Sequence, residues 1–172
     1  WLDLRTSRLI LSPVNWQDMP DILALKTDVL TFSSMLGGVR TSWQVQKEMA
    51  EDILYWGSHR IGIYTVRKHI QNRTGQFLGI TGIHLRNDNR GHALRFALWG
   101  WAQGKGYARE AAFAVLSAAH ERGYQRIVAV TKERNIASRR ILGSIGMNVE
   151  EQFMRHGYKM LTYAHPYSRF QI

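Results

Sequence analysis

From Trp99 to Arg122 the chain reads WGWAQGKGYAREAAFAVLSAAHER, a pair of glycines feeding directly into a long amphipathic stretch. Ala108, Ala111, Ala112, Val115, Leu116 and Ala119 fall at i, i+3, i+4, i+7, i+8 and i+11, one face of an α-helix, while Arg109 and Glu121 point elsewhere. Gly123 stands where a left-handed C-terminal cap belongs. The stretch reads as a strand end that bends on Gly104 and Gly106 into the first turn of a helix. A helix N-terminus with free N–H groups behind such a turn is an anion site.

Two familiar phosphate-binding arrangements fail here. A P-loop places a glycine five residues before its Gly-Lys pair and Ser or Thr after it, whereas position 99 is Trp and Gly106 follows Lys105. The dinucleotide fingerprint needs a small third residue, and counting on from Gly104 and Gly106 brings Arg109. What remains is Gln103-x-x-Gly106-x-Ala108.

A chain of 172 residues with 45% hydrophobic content can bury a sizeable core, so one domain over residues 1–172 is expected. The absence of cysteine excludes disulfides, a thiolate nucleophile and a thiolate metal site, and fits a reducing compartment. Any sulfur chemistry must therefore come from a bound ligand. No leader pattern opens the chain, which begins at Trp1, and the longest apolar run, within Ala111 to Ala119, is too short to cross a bilayer. A soluble cytoplasmic protein with no membrane partner is expected. Lys and Arg total 23 against 13 Asp and Glu, a net charge of +10 that favours anionic partners. These positive residues are scattered, so a solvated basic surface is the ordinary reading and a basic tail is ruled out.

Along the chain, Arg8 to Val14 reads as an opening strand, and Asn15 or Asp18 can cap a short helix reaching about Lys26. The pattern lapses from Thr27 to Arg40, where Gly37-Gly38 marks a loop. Thr41-x-x-Gln44 has capping-box spacing, and Val45, Met49, Ile53 and Trp56 follow at helical intervals. The period then drops to two. Arg60 to Lys68, Gln76 to Leu85 and His92 to Trp99 read as an antiparallel meander, with turns at Gln71 to Gly75 and Asn87 to Gly91. After the central helix, Arg126 to Val130 is a buried strand that a β-α-β crossover sets parallel to its predecessor. Asn135 to Ile145 forms another helix, and Asn148 to about Ala164 a final hairpin.

The Gln103 to Ala108 pattern resembles the acetyl-CoA signature of the GNAT N-acetyltransferase superfamily, (Arg or Gln)-x-x-Gly-x-(Gly or Ala). Asn135-Ile136-Ala137-Ser138 leading to Ile145-Gly146-Met147 resembles the superfamily's Asn-x-x-Ser and Gly-Phe stretch, and LRTSRLILSPVNWQDMPDI is similar to the start of its ribosomal-protein-alanine (RimJ/RimL-like) branch. With GQFLGITGI and QGKGYAREA between them, the resemblance runs in order along nearly the whole chain. It implies an α/β fold with a mixed, mostly antiparallel twisted sheet, helices on both faces, and two strands splayed into a slot for acetyl-CoA. By this resemblance, backbone groups at Phe96 and Leu98 hold the acetyl-pantetheine portion. Gln103, Gly104, Lys105, Gly106, Tyr107 and Ala108 bind the pyrophosphate, and Asn135 reaches the pantetheine. A strand leaving its neighbour has unpaired N–H and C=O groups, and the pantetheine amides can supply partners.

The reaction implied is transfer of acetyl from the cosubstrate acetyl-CoA to a primary amine, with no metal. It needs a neutral amine, donors for the developing oxyanion and a proton for the thiolate. Ser138 is the candidate for the thiolate, because the tyrosine many relatives carry seven residues after the asparagine is Leu142 here. Asn135 is equally a helix cap and Ser138 equally a first-turn serine. The branch carries Glu near the start of the third meander strand and Gly two residues later, where this chain has Ala93 and Arg95. His84, His92, Glu150 and Glu151 are near in sequence but read as surface residues. Arg95 either points into solvent or recruits an acidic substrate. An α-amine, with a pKa of about 8, needs less help than a lysine at about 10.4, so the missing acid favours a protein N-terminus, ribosomal or other, as acceptor. A second reading keeps the chemistry and takes a polyamine, amino acid or antibiotic. A third is a non-catalytic CoA sensor or RNA-binding module, with Trp56, Tyr64, Trp99 and Trp101 available to stack on bases. Nucleic acid is not expected as substrate, and either a monomer or a homodimer is compatible with an exposed strand edge near the C-terminus.

Overall fold

The computed structural model describes residues 3–71 and 73–166. Among them, eight strands form one sheet: β1 (Leu4–Arg5), β2 (Leu9–Pro13), β3 (Ile63–Ile70), β4 (Arg73–Leu85), β5 (His92–Leu98), β6 (Arg126–Lys132), β7 (Asn148–Arg155) and β8 (Tyr158–Pro166). Their spatial order is β1-β2-β3-β4-β5-β6-β8-β7. Every neighbouring pair is antiparallel except β5 and β6, which the crossover helix makes parallel. The helices are α1 (Met19–Thr27), α2 (Val29–Phe32), α3 (Ser42–Ser58), α4 (Tyr107–Glu121) and α5 (Ile136–Ser144).

The sheet is covered on both faces. Residues Phe77 to Ile83 of β4 are buried without interruption, although their side chains alternate between faces; α4 packs on β4 and β5, and α1 packs on β4 and α3. Helix α4 buries Tyr107, Ala111, Ala112, Val115, Leu116, Ala118 and Ala119, nearly the stripe its spacing predicts. It ends in a Schellman motif: Gly123 takes φ 101°, its N–H donates to the His120 carbonyl, and the Tyr124 N–H donates to that of Ala119. The same motif closes α5 at Gly146.

Helix α3 starts at the expected capping box, with Thr41 Oγ1 accepting the Gln44 N–H at 3.2 Å and Gln44 Oε1 accepting the Thr41 N–H at 2.8 Å. At its far end, Trp56 Nε1 donates to the Ile63 carbonyl at 2.7 Å and its ring meets Tyr64 edge-on. Trp56 and Tyr64 are 5% and 0% exposed, which removes both as base-stacking surfaces.

Two expectations are corrected. The region read as a lapse after Thr27 contains α2, capped by Asp28 Oδ2 accepting the Thr31 N–H at 2.9 Å; one helical turn is too short for periodicity to register. Strand β4 begins at Arg73 rather than Gln76, because Gln71 adopts φ 48° and lets Ile70 pair with Arg73. Asn72, part of that expected turn, lies outside the described residues. No helix among the described residues is long and apolar enough to cross a membrane.

Candidate active site

Strands β5 and β6 share one ladder pair, Ala93 with Val128. Beyond it they part, and β5 has no strand partner on that side, while β4 continues to pair with it as far as Leu98. The gap opens into a cavity of about 620 Å³, a size suited to a small-molecule site. Phe96 on β5, Ala129 to Lys132 on β6, and Asn135, Ser138 and Leu142 of the α5 segment line it, facing Glu48 and Asp52 of α3.

Leu98 and the turn from Gln103 to Ala108 do not line this cavity; they continue the chain past the end of β5. Gln103 Nε2 donates to the Leu98 carbonyl at 3.1 Å, which ties the turn to the strand. Gly104 and Gly106 take φ 78° and 81°, where a side chain would be strained. No side chain caps α4 at its start. Its first-turn acid, Glu110, instead receives Arg8 Nε at 2.8 Å, and Arg8 Nη1 donates to the Lys105 carbonyl at 2.8 Å. Arg8 also lies 4.5 Å from the centroid of the Tyr107 ring, which is 8% exposed. The amides at the head of a 15-residue helix therefore remain for an anion, and the turn fits a pyrophosphate.

Asn135 Oδ1 accepts the Ser138 N–H at 3.1 Å, so the capping role holds. The Asn135 side-chain NH₂ and the Ser138 hydroxyl form no hydrogen bond among the described residues, and both residues line the cavity. Asn135, Ser138 and Leu142, spaced by three and four residues, thus share a face that borders the slot.

Glu48 is held by two cations, Lys26 Nζ at 2.7 Å and Arg40 Nε at 2.6 Å. Burial alone would raise its carboxyl, but Lys26 and Arg40 outweigh that and hold it below the usual range. Asp52, one helical turn on, has no hydrogen bond or ion pair through its side chain among the described residues. Burial raises its carboxyl to about 6, with Glu48 and Glu51 adding to the rise and Lys26 and Arg95 opposing it.

The residues around the missing acid are rearranged relative to expectation. Arg95 is exposed, as expected, but it also lines the cavity, where the surrounding protein lowers its pKa while Asp52 and Glu48 counter that. His84 also lines the cavity, donating Nδ1–H to the Ala93 carbonyl at 3.2 Å. Burial, reinforced by Arg95 and Arg86, drives its pKa down to about 3, so it is a neutral group and a poor base. Glu151 pairs with Arg90 at 3.0 Å and Glu150 with Arg126. His92 packs its ring against Tyr124. Ala93, 1% exposed, lies in the cavity wall opposite α3.

Asp52 carried a signal in the sequence. Val45, Glu48, Met49, Asp52 and Trp56 stand at i, i+3, i+4, i+7 and i+11, so two carboxylates interrupt the buried stripe of an amphipathic helix. A charge on a core-facing stripe costs folding free energy unless it is paired or used.

The family model for the acetyltransferase (GNAT) domain matches residues 8–148. An acetyltransferase from Agrobacterium tumefaciens superposes with a TM-score of 0.83 at 23% identity, covering 96% of this chain and 94% of that one. A Salmonella typhimurium acetyl transferase described as modifying the N-terminal serine of the 50S ribosomal subunit protein L7/L12 superposes at 0.78 and 18% identity, covering 96% and 99%. The microcin C7 self-immunity acetyltransferase MccE, solved with acetyl-CoA and AMP, superposes at 0.73 and 13% identity, covering 94% and 93%. No curated protein matches the sequence.

Proposed function

The chain belongs to the acetyltransferase (GNAT) family, and on that premise we propose that this acetyl-CoA-dependent N-acetyltransferase acts on the α-amine at a protein or peptide N-terminus. The observation that carries the acceptor is Asp52, a carboxylate on the cavity wall with no side-chain partner among the described residues and a pKa raised to about 6. A base of that strength lies roughly two units below an α-amine but more than four below a lysine, so the α-amine is the acceptor it can deprotonate usefully.

Acetyl-CoA supplies an acetyl thioester. Asp52 takes a proton from the incoming ammonium, the free backbone N–H groups of β5 between Phe96 and Leu98 stabilise negative charge on the carbonyl oxygen, and Ser138 delivers a proton to the sulfur. The amine nitrogen bonds to the carbonyl carbon, the carbon–sulfur bond breaks, and one proton in all is released to solvent. Gly104 to Ala108 anchor the pyrophosphate, and Asn135 offers its NH₂ to the pantetheine. The carboxylate that relatives carry at the Ala93 position is thus replaced from across the cavity, which answers the main argument for a non-catalytic module.

Thiol release and mass spectrometry with acetyl-CoA test the reading against N-terminal peptides, polyamines and aminoglycosides. Acetylation of peptide α-amines is expected. Turnover confined to polyamines or aminoglycosides would overturn the acceptor assignment.

A further inference from the structure

Two opposite charges are left unsatisfied in the same cavity. The side chains of Asp52 on α3 and Arg95 on β5 both line it, and among the described residues neither forms a hydrogen bond or ion pair. They do not reach one another, yet each sits in the other's field. Arg95 is exposed and Asp52 half-buried, and both present surface to the cavity wall. Of the neighbouring charges, Glu48 pairs with Lys26 and Arg40, Arg86 pairs with Asp88 at 2.7 Å, and the Lys132 ammonium lies 4.0 Å from the centroid of the Tyr158 ring. Glu51 and Arg155 also line the cavity and are exposed, as Arg95 is, but Arg155 lies on β7 whereas Arg95 lies on β5, one residue before Phe96 at the slot.

An arginine on the cavity wall with no counter-ion among the described residues can take one from a ligand, and its planar fork suits a carboxylate or phosphate. The cosubstrate does not supply that anion at this place. Its phosphates belong at the glycine turn heading α4, outside the cavity, and its pantetheine arm is uncharged. The remaining source is the acceptor. Building on the N-acetyltransferase reading above, we propose that the acceptor carries an anionic group beside its amine, and that Arg95 recognises the anion while Asp52 receives the ammonium. A ligand with that polarity fills the gap between two side chains that do not pair directly. The anion is either a free amino acid's own carboxylate or an acidic side chain next to a peptide N-terminus.

The experiment compares kcat/KM for four acceptors: tetrapeptide amides beginning Ser-Asp and Ser-Asn, free serine, and serinamide. Wild type is expected to favour the acid-bearing member of at least one pair by about tenfold or more, chiefly through KM. The pair showing the preference identifies the source of the anion. In Arg95→Gln the preference should shrink to about twofold or less, while acetyl-CoA affinity measured by calorimetry stays unchanged. Equal use of both members of each pair by wild type overturns the proposal, as does an Arg95→Gln variant that loses acetyl-CoA affinity instead. If no amine is acetylated, the transferase reading is what fails. Equilibrium binding of the same four compounds to the CoA-loaded protein then decides the anion question: preference lost in Arg95→Gln supports recognition, and equal binding overturns it.

Discussion

The side-chain oxygen of Asn135 accepts the backbone N–H of Ser138 at 3.1 Å, so two residues assigned to the cosubstrate site are also one helix cap. Cap and ligand roles can be separated by chemistry. Asn135→Asp keeps the accepting oxygen and removes the NH₂ donor, whereas Asn135→Ala removes both. The alanine variant should lose about 1 kcal/mol in denaturant unfolding and the aspartate variant almost none, while both raise the KM for acetyl-CoA. An aspartate variant with an unchanged KM would leave Asn135 as a cap alone.

Ser138→Ala removes a hydroxyl that forms no hydrogen bond among the described residues and leaves the Asn135 cap intact, because the cap uses the Ser138 backbone. Turnover should fall about a hundredfold with CoA affinity preserved, as read by thiol release and calorimetry. Undiminished turnover would take Ser138 out of the chemistry.

Asp52→Asn should abolish the acid limb of the pH–rate profile, which in wild type rises through about pH 6 as the carboxyl ionises. Its folded pKa lies above the unfolded value, so the folded state binds the extra proton between roughly pH 4 and 6, and stability falls as pH rises across that window. The asparagine variant escapes this loss. It should be more stable than wild type at pH 8, by no more than about 3 kcal/mol, and much less active. A variant that is active at pH 8 would displace Asp52 as the base.

Arg8→Ala cuts the link between β2's leading edge, Glu110 and the Lys105 carbonyl. Because the Arg8 side chain is 44% exposed, the stability cost should stay below about 1 kcal/mol. The effect should appear instead as a severalfold higher KM for acetyl-CoA with kcat little changed, since the turn loses its anchor.

Gly82→Ala probes the packing beneath the site. A Cβ there would stand 2.2 Å from the Gly62 carbonyl oxygen, with no flexible side chain to give way. A loss of about 2–3 kcal/mol in thermal or denaturant unfolding is expected.

Local chemistry made much of this protein readable from its residues. The α4 stripe, the capping box at Thr41 and Gln44, and the glycine ends of α4 and α5 depend on contacts a few residues apart, so spacing alone predicts them, and the crossover into β6 follows from the order of strand, helix and strand. The resemblance carried by Gln103 to Ala108 and Asn135 to Ser138 added the family, which the domain match over residues 8–148 bears out. What the sequence could not place were side chains whose role depends on distant partners. Arg95 reads as a solvent residue on an alternating strand, and it is exposed, and Asp52 reads as one more charge on a helix; that both border one cavity follows only when folding brings α3 over the gap between β5 and β6. The same docking brings Lys26 and Arg40 to Glu48 and leaves Asp52 without a mate among the described residues. Helix periodicity is set by the backbone; which carboxylate is neutralised and which stays available is set by desolvation and long-range pairing, and these exist only once the elements are packed.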